Sequence, residues 1–444
     1  MTTSLSQPPI PSFTEMATSL NEIQQAHAHM LKTGYFHDIF AASKLISFAT
    51  TNPDRQTLSY THSVFNRIEN PNPYTCNAII RAYANSLSPE NALPIFLQML
   101  NGHVFPDKYT FTFMLKACAN FGGLKEGMQI HGHALKIGIG CDLFFQNTLI
   151  HLYGRTGCIE TARYVLDNMP KRDLVSWNAM LSAYVEMGMV DFARDLFNEM
   201  EEKNVESWNF MISGYANVGL VEEARKVFAM TPMKNVVSWN ALITAYAHAS
   251  HFKEVLELFE DMQSAQVKPD NCTLVNVLSA SARIGALTQG EWVHAYVEKN
   301  GIGISGFIAT ALVDMYSKCG NIEKAMRVFR SASKKDISTW NSIISGLSTH
   351  GFGEHALKMF FEMLGQGFEP NEVTFIGILS ACSRAGLLNE GRRMFDLMVC
   401  LYGIQPSVEL YGCMVDLLGR QGLLDEAEEL VRMMPLKAGP LVLE

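Results

Sequence analysis

From Pro73 to about Pro440 one pattern of apolar and polar positions recurs eleven times, over 73–107, 108–142, 143–173, 174–204, 205–235, 236–270, 271–305, 306–336, 337–371, 372–407 and 408 to about 440. Each copy predicts two helices. Ser or Thr stands third in eight copies (Thr75, Thr110, Ser176, Ser207, Ser238, Thr273, Thr339, Thr374). A hydroxyl there can accept from the unbonded N–H groups of a first helical turn. Gly stands fifteenth in nine copies, as at Gly188 and Gly219, where the left-handed conformation that closes a helix is easily reached. Helix A is therefore expected over about positions 4 to 13. Helix B opens on acidic residues such as Asp191, Glu222-Glu223 and Glu323, which suit the positive end of a helix dipole. Position 20 is Ala or Gly in ten copies, and position 24 is expected to be apolar throughout, as at Phe197, Phe228, Phe259, Phe329 and Phe360. The two positions share a face by their i, i+4 spacing. The small residue admits helix A, and the large one fills the layer. One hairpin cannot cover its own apolar surface, so the copies must stack as a solenoid.

The polar members of the pattern keep register as strictly as the apolar ones. Asn77, Asn178, Asn209, Asn240 and Asn341 hold the fifth place in their copies, and Trp177, Trp208, Trp239 and Trp340 precede four of them. Asn178 to Asn209 and Asn209 to Asn240 are each 31 residues; Asn77 to Asn178 and Asn240 to Asn341 are each 101, two periods of 35 and one of 31. Residues 15–72 are expected to hold two degenerate copies. One spans 39–72. The other ends at Asp38, where Gln25-Ala26-His27-Ala28-His29 echoes Gln129-Ile130-His131-Gly132-His133. Residues 1–14 carry no charged side chain and are rich in Ser, Thr and Pro, which reads as a presequence-like or disordered start.

Composition narrows the function. A net charge of −9 argues against affinity drawn mainly from neutralising many phosphates, but not against base contacts. Nine cysteines without a C-x-x-C pair suggest reduced thiols. No apolar run approaches the length of a membrane span, so no membrane partner is expected. Enzyme signatures are missing: no His is followed two residues later by Glu, and there is no P-C-x-x-C, phosphate loop or G-x-S-x-G elbow. No catalytic residue, cofactor or metal is expected. His27/His29 and His131/His133 are two apart and do not share a helical face, so they read as packing residues and not as a chelate. The Trp residues at position 4 point away from the Asn at position 5 and read as core between copies.

The unit resembles the pentatricopeptide repeat, and the alternation of 35- and 31-residue copies resembles the plant PLS subfamily, of the E-type kind but lacking the C-terminal extension. P-like copies are 73–107, 236–270 and 337–371. L-like copies are 108–142 and 271–305, with 372–407 like a terminal L copy. The 31-residue copies are S-like, and the one from Val408 is like a terminal S copy. This resemblance implies an all-α fold, a right-handed superhelical α-solenoid of helix-turn-helix repeats. It implies single-stranded RNA as partner, read at one base per repeat, in a mitochondrion or chloroplast, with mitochondrion placed first.

The family's reading places are the fifth and the last residue. Here they are Ser43/Asn72, Asn77/Asp107, Thr112/Asp142, Asn147/Asp173, Asn178/Asn204, Asn209/Asn235, Asn240/Asp270, Thr310/Asp336 and Asn341/Asn371. The resemblance implies uracil for Asn/Asp, a pyrimidine for Asn/Asn, guanine for Thr/Asp and adenine for Ser/Asn. Val275/Ser305 and Ile376/Ser407 have no reading amide or hydroxyl at the fifth place. The expected ligand is 5′-A-U-G-U-Y-Y-U-n-G-Y-3′, with Y a pyrimidine and n any base. Position 2 flanks the base in the family and is Tyr74, Tyr109, Phe144, Val175, Val237 and Phe307 here, able to stack or wedge; Glu206 and Glu409 break that pattern. The alternating copies imply an adaptor that selects C-to-U editing sites, with a deaminase or accessory factor supplied in trans. Competing expectations are an organellar splicing or stability factor and a tetratricopeptide-like protein scaffold. Gly439 to Glu444 stops where another helix is expected, so residues 441–444 read as a truncated end.

Overall fold

The computed structural model describes residues 19–51 and 54–434; the expected presequence-like start at 1–14 and truncated end at 441–444 lie outside them. Every regular element among the described residues is a helix. They fall into two compact units divided between Leu220 and Val221. Each unit is an α-solenoid of helical hairpins. In the first, helices A pack in sequence from Pro73–Ala84 through Lys108–Phe121, Leu143–Arg155 and Leu174–Glu186 to Val205–Asn217. In the second they run from Val236–His248 through Asn271–Ile284, Gly306–Lys318, Ile337–Thr349 and Glu372–Ala385 to Val408–Arg420. Of the two stretches expected to be degenerate copies, 39–72 holds the helices Ile39–Ala49 and Arg55–Phe65, and the one before it contributes Leu20–Thr33.

Helix A does not begin where the third-position hydroxyl suggested. It begins at position 1, as in Leu174–Glu186, and its N-cap is the last residue of the preceding copy. Asp173 Oδ1 accepts from Ser176 N at 2.8 Å, and Ser176 Oγ in turn accepts from Asp173 N at 3.1 Å. The same closed box forms at Asp107, Asn204, Asn235, Asp270 and Asn371. The Ser or Thr is thus the third helical residue and answers a cap, where it was expected to supply one. Both residue types cap well, so the pattern alone placed the start three residues late.

The rest of the hairpin follows the pattern. All nine fifteenth-position glycines have positive φ, and in copy 236–270 Ser250 occupies that place at φ 62°. Position 20 needs its small residue: a Cβ on Gly127 would lie 2.5 Å from Leu152 Cδ2 in the next helix A. Position 24 packs on position 4 of the following copy. Phe197 meets Trp208 edge-on at 4.9 Å between centroids, Phe228 meets Trp239 at 4.8 Å and Phe329 meets Trp340 at 4.7 Å. Position 24 is not apolar throughout. It is His62, His131 and His294 in three copies, and each ring Nδ1 bonds the hydroxyl of a Tyr at position 11 of the next copy: Tyr83 at 2.6 Å, Tyr153 at 2.9 Å and Tyr316 at 2.9 Å. His27 pairs likewise with Tyr60 at 2.7 Å, and His133 lies edge-on to Phe111. These histidines are interlayer packing, and the described residues include no metal-binding group of three or more. Burial pushes the thiols of Cys118 and Cys382 up to about 12, which keeps them as inert core residues.

Candidate nucleic-acid interface

The expected reading residues stand in the first two turns of each helix A. The N-cap builds their geometry. Because Asp107 Oδ1 is fixed by the Thr110 N–H at 2.9 Å, it lies where Asn77 Nδ2 can donate to it, at 3.0 Å. Thr110 Oγ1 then donates to Asn77 Oδ1 at 2.7 Å. Three side chains from two copies close into one unit: the fifth residue, the last residue, and the third residue of the next copy. An acceptor-only carboxylate on one side and a hydroxyl on the other fix which way the amide turns. Asn240, Asp270 and Thr273 repeat the arrangement, with Asn240 Nδ2 at 2.9 and 3.0 Å from the two Asp270 oxygens and Thr273 Oγ1 at 2.6 Å from Asn240 Oδ1. So do Asn341, Asn371 and Thr374 at 3.1 and 2.7 Å, and Asn178, Asn204 and Ser207 at 3.1 and 2.7 Å. Asn147 Nδ2 reaches Asp173 at 3.2 Å, but its Oδ1 is buried without a partner.

Four expected pairs differ. Ser43 bonds Thr75 Oγ1 at 2.5 Å and accepts from Asn72 Nδ2 at 3.3 Å, so the hydroxyl pair is brought together. Thr310 reaches Thr339 Oγ1 at 2.9 Å, and Thr339 links it to Asp336 at 2.7 Å. Thr112 and Asp142 do not join. The next copy has Phe145 in the third place, Thr112 turns its hydroxyl to Lys108 O at 2.8 Å, and Asp142 pairs with Lys108 Nζ at 3.3 Å. Asn209 is buried in Val205–Asn217 while Asn235 caps Val236–His248, on either side of the boundary between the units.

The fifth residues are therefore not open amides. Asn77, Asn147, Asn178, Asn209 and Asn341 are 5–9% exposed. Each closed unit still leaves capacity outward. An Asn amide has two N–H groups and two lone pairs, and in Asn77 one of each is spent. The outer oxygen of Asp107 takes no side chain among the described residues. Partial burial would raise the Asp270 carboxyl, but donors from the Thr273 backbone and the Asn240 amide outweigh it and hold it below its ordinary value. Asp173 is lowered against the same burial, by Ser176 and Asn147. These carboxylates stay ionised and present an acceptor. Where the last residue is Asn204 or Asn371, the capping bond takes Oδ1, and the amide keeps two N–H groups as donors. The third-position hydroxyl, which fixes each amide, was read in the sequence as a cap alone. Its exact 33-residue spacing from Asn77 to Thr110, from Asn240 to Thr273 and from Asn341 to Thr374 is the signal that could have shown it.

Within each unit, position 2 carries exposed apolar side chains. Tyr74, Tyr109, Phe144, Val175, Val237 and Phe307 are 52–82% exposed, a cost in water that a stacking partner would remove.

Models of the PPR repeat family match residues 71–120, 234–283 and 335–384, and the PPR repeat model matches 147–174, 175–205, 206–235, 307–337, 373–401 and 409–437. The chain is 66% identical over 437 residues to pentatricopeptide repeat-containing protein At4g18840 of Arabidopsis thaliana, across 98% of this chain and 80% of the relative. The chain belongs to the pentatricopeptide repeat family. Two further Arabidopsis thaliana relatives are At5g66520, 46% identical across 95% of this chain and 63% of its own length, and At1g59720, chloroplastic/mitochondrial, 34% identical across 97% and 59%. The chain thus spans less than two thirds of those two pentatricopeptide repeat proteins. Among solved structures it is similar to the pentatricopeptide repeat protein PPR10 in complex with an 18-nt psaJ RNA element, with a TM-score of 0.73 at 19% identity, over 95% of this chain and 63% of that one. At that identity the likeness concerns the fold of stacked pentatricopeptide hairpins.

Proposed function

We propose that the chain is a sequence-specific single-stranded RNA-binding adaptor of a plant mitochondrion or chloroplast. It selects sites for C-to-U editing, and a deaminase acts in trans. The observation that carries the reading is the recurrence of closed units, Asn77/Asp107, Asn240/Asp270 and Asn341/Asn371 among them, with exposed apolar side chains at position 2. Such a unit offers one base a hydrogen-bonding edge and a surface to stack against, which is how helical repeats read single strands. An outward carboxylate oxygen accepts from the N3–H of uracil, and an outward Nδ2 donates to the N3 of cytosine. The resemblance of PPR10, crystallised with RNA, and of relatives described as chloroplastic or mitochondrial supports the ligand and the compartment. The eleven copies over 73–440 and the two degenerate ones over 15–72 form the binding array in this reading. A plant line lacking the protein should accumulate organellar transcripts with specific cytidines unedited. Complete editing in such a line would overturn the editing role, and altered transcript ends or introns with editing intact would replace it by splicing or stability.

A further inference from the structure

The two Asn/Asn copies are not equivalent. In copy 337–371 the Asn341 amide gives one N–H to Asn371 Oδ1 at 3.1 Å, and the position-2 residue of the following copy is the exposed Val373. In copy 174–204 the Asn178 amide gives one N–H to Asn204 Oδ1 at 3.1 Å and a second contact, at 3.2 Å, to Glu206 Oε2. Its Oδ1 is taken by Ser207 Oγ at 2.7 Å. Glu206 stands at position 2, where the neighbouring copies carry apolar side chains, and it is exposed. It thus sets a charged acceptor beside the polar edge that a base must meet.

We infer that Glu206 is a third reading side chain, which makes the letter at Asn178 a cytosine and rejects uracil there. The inference rests on the base-reading function proposed above. The chemistry is one of matching. Beside N3, cytosine carries an N4 amine, which donates, and uracil carries an O4 carbonyl, which accepts. A carboxylate oxygen beside the Asn178/Asn204 pair meets the first with a charge-assisted hydrogen bond. It meets the second with two acceptors face to face and no proton between them. Val373 beside Asn341 makes neither distinction, so the same Asn/Asn pair accepts both pyrimidines more evenly there.

The test uses the full chain and four ten-nucleotide RNAs built on 5′-A-U-G-U-Y-Y-U-n-G-Y-3′, differing only in C or U at the fifth or the tenth letter. At the fifth letter C should bind about tenfold more tightly than U, the size of a good side-chain contact to a base edge. At the tenth letter the ratio should be severalfold smaller. Glu206→Val should bring the fifth letter down to the tenth-letter ratio, with the fold checked by its thermal midpoint because the side chain is on the surface. An unchanged ratio in Glu206→Val, or a gain in affinity equal for C and U, overturns the inference and leaves the carboxylate as a general repellent of the strand. A fifth RNA with G in place of U at the seventh letter, opposite Asn240, separates the two readings. If it binds as well as its parent, base reading itself has failed; if it binds poorly while the fifth letter shows no bias, only the role of Glu206 has.

Discussion

Asp270 caps Val236–His248's successor helix, Asn271–Ile284, and in the same position bonds Asn240 from the copy before. That double duty suits the Asp and Asn that end most copies, which cap the next helix through a side-chain oxygen, whereas Ser305 and Ser407 make no such side-chain cap. Asp270→Asn keeps the cap and replaces an acceptor-only carboxylate with an amide that also donates. The variant should retain its thermal midpoint, since Asn and Asp cap within a few tenths of a kcal/mol of one another. Its preference for U at the seventh letter should be lost, so that C and U bind comparably there. Parallel binding of the two RNAs by wild type and variant reads this directly. The identity of these residues was legible in the sequence, because they recur in register. Their contact with each other, and the third-position hydroxyl that aims them, were not. A Ser or Thr at a helix start has two plausible jobs, and only the position of the helix start decides between them.

At the scale of the hairpin, the periodicity showed where each helix ends better than where it begins. Glycine has few competing reasons to recur at the fifteenth place, whereas Asp173 and Ser176 compete for one cap. The exception at the helix end is instructive. Ser250 holds φ at 62° in the place where nine other copies have glycine. A side chain there strains the backbone by ~1–2 kcal/mol, partly offset by the greater entropy that glycine loses. Ser250→Gly should therefore stabilise the chain by ~0.5–1 kcal/mol, seen as a higher denaturant midpoint. A lower midpoint would mean that the turn is held by something other than backbone conformation. Helix B also concealed a class of copies. His62, His131 and His294 take the place of the phenylalanines at position 24, and the matching Tyr at position 11 of each next copy is what marks them as partners.

Those histidines give the molecule a pH response. Burial lowers the pKa of His62, His131 and His294 from 6.5. The folded chain then binds fewer protons than the unfolded one just below that pH, so stability rises with pH there. Their contribution is complete above about pH 6.5 and is lost as the pH falls through the lowered folded values. The thermal midpoint should drop between pH 7.5 and 5.5, and His131→Phe, the residue of most other copies, should shallow that drop. A midpoint that rises on acidification would contradict it. At this scale the alternation of helices among the described residues keeps the period of the sequence pattern. The sequence did not reveal that the described residues divide between Leu220 and Val221, because copies 205–235 and 236–270 carry the same Trp-Asn signature on both sides of that boundary.

The account depends on each outward edge meeting its own nucleotide. The most direct measurement is selection from a randomised single-stranded RNA pool by the wild-type chain and by Asn240→Thr, sequenced side by side. The account predicts that the wild type enriches U at the seventh letter, that the variant enriches G there, and that the other letters are shared. Identical enriched sequences from the two proteins would contradict it.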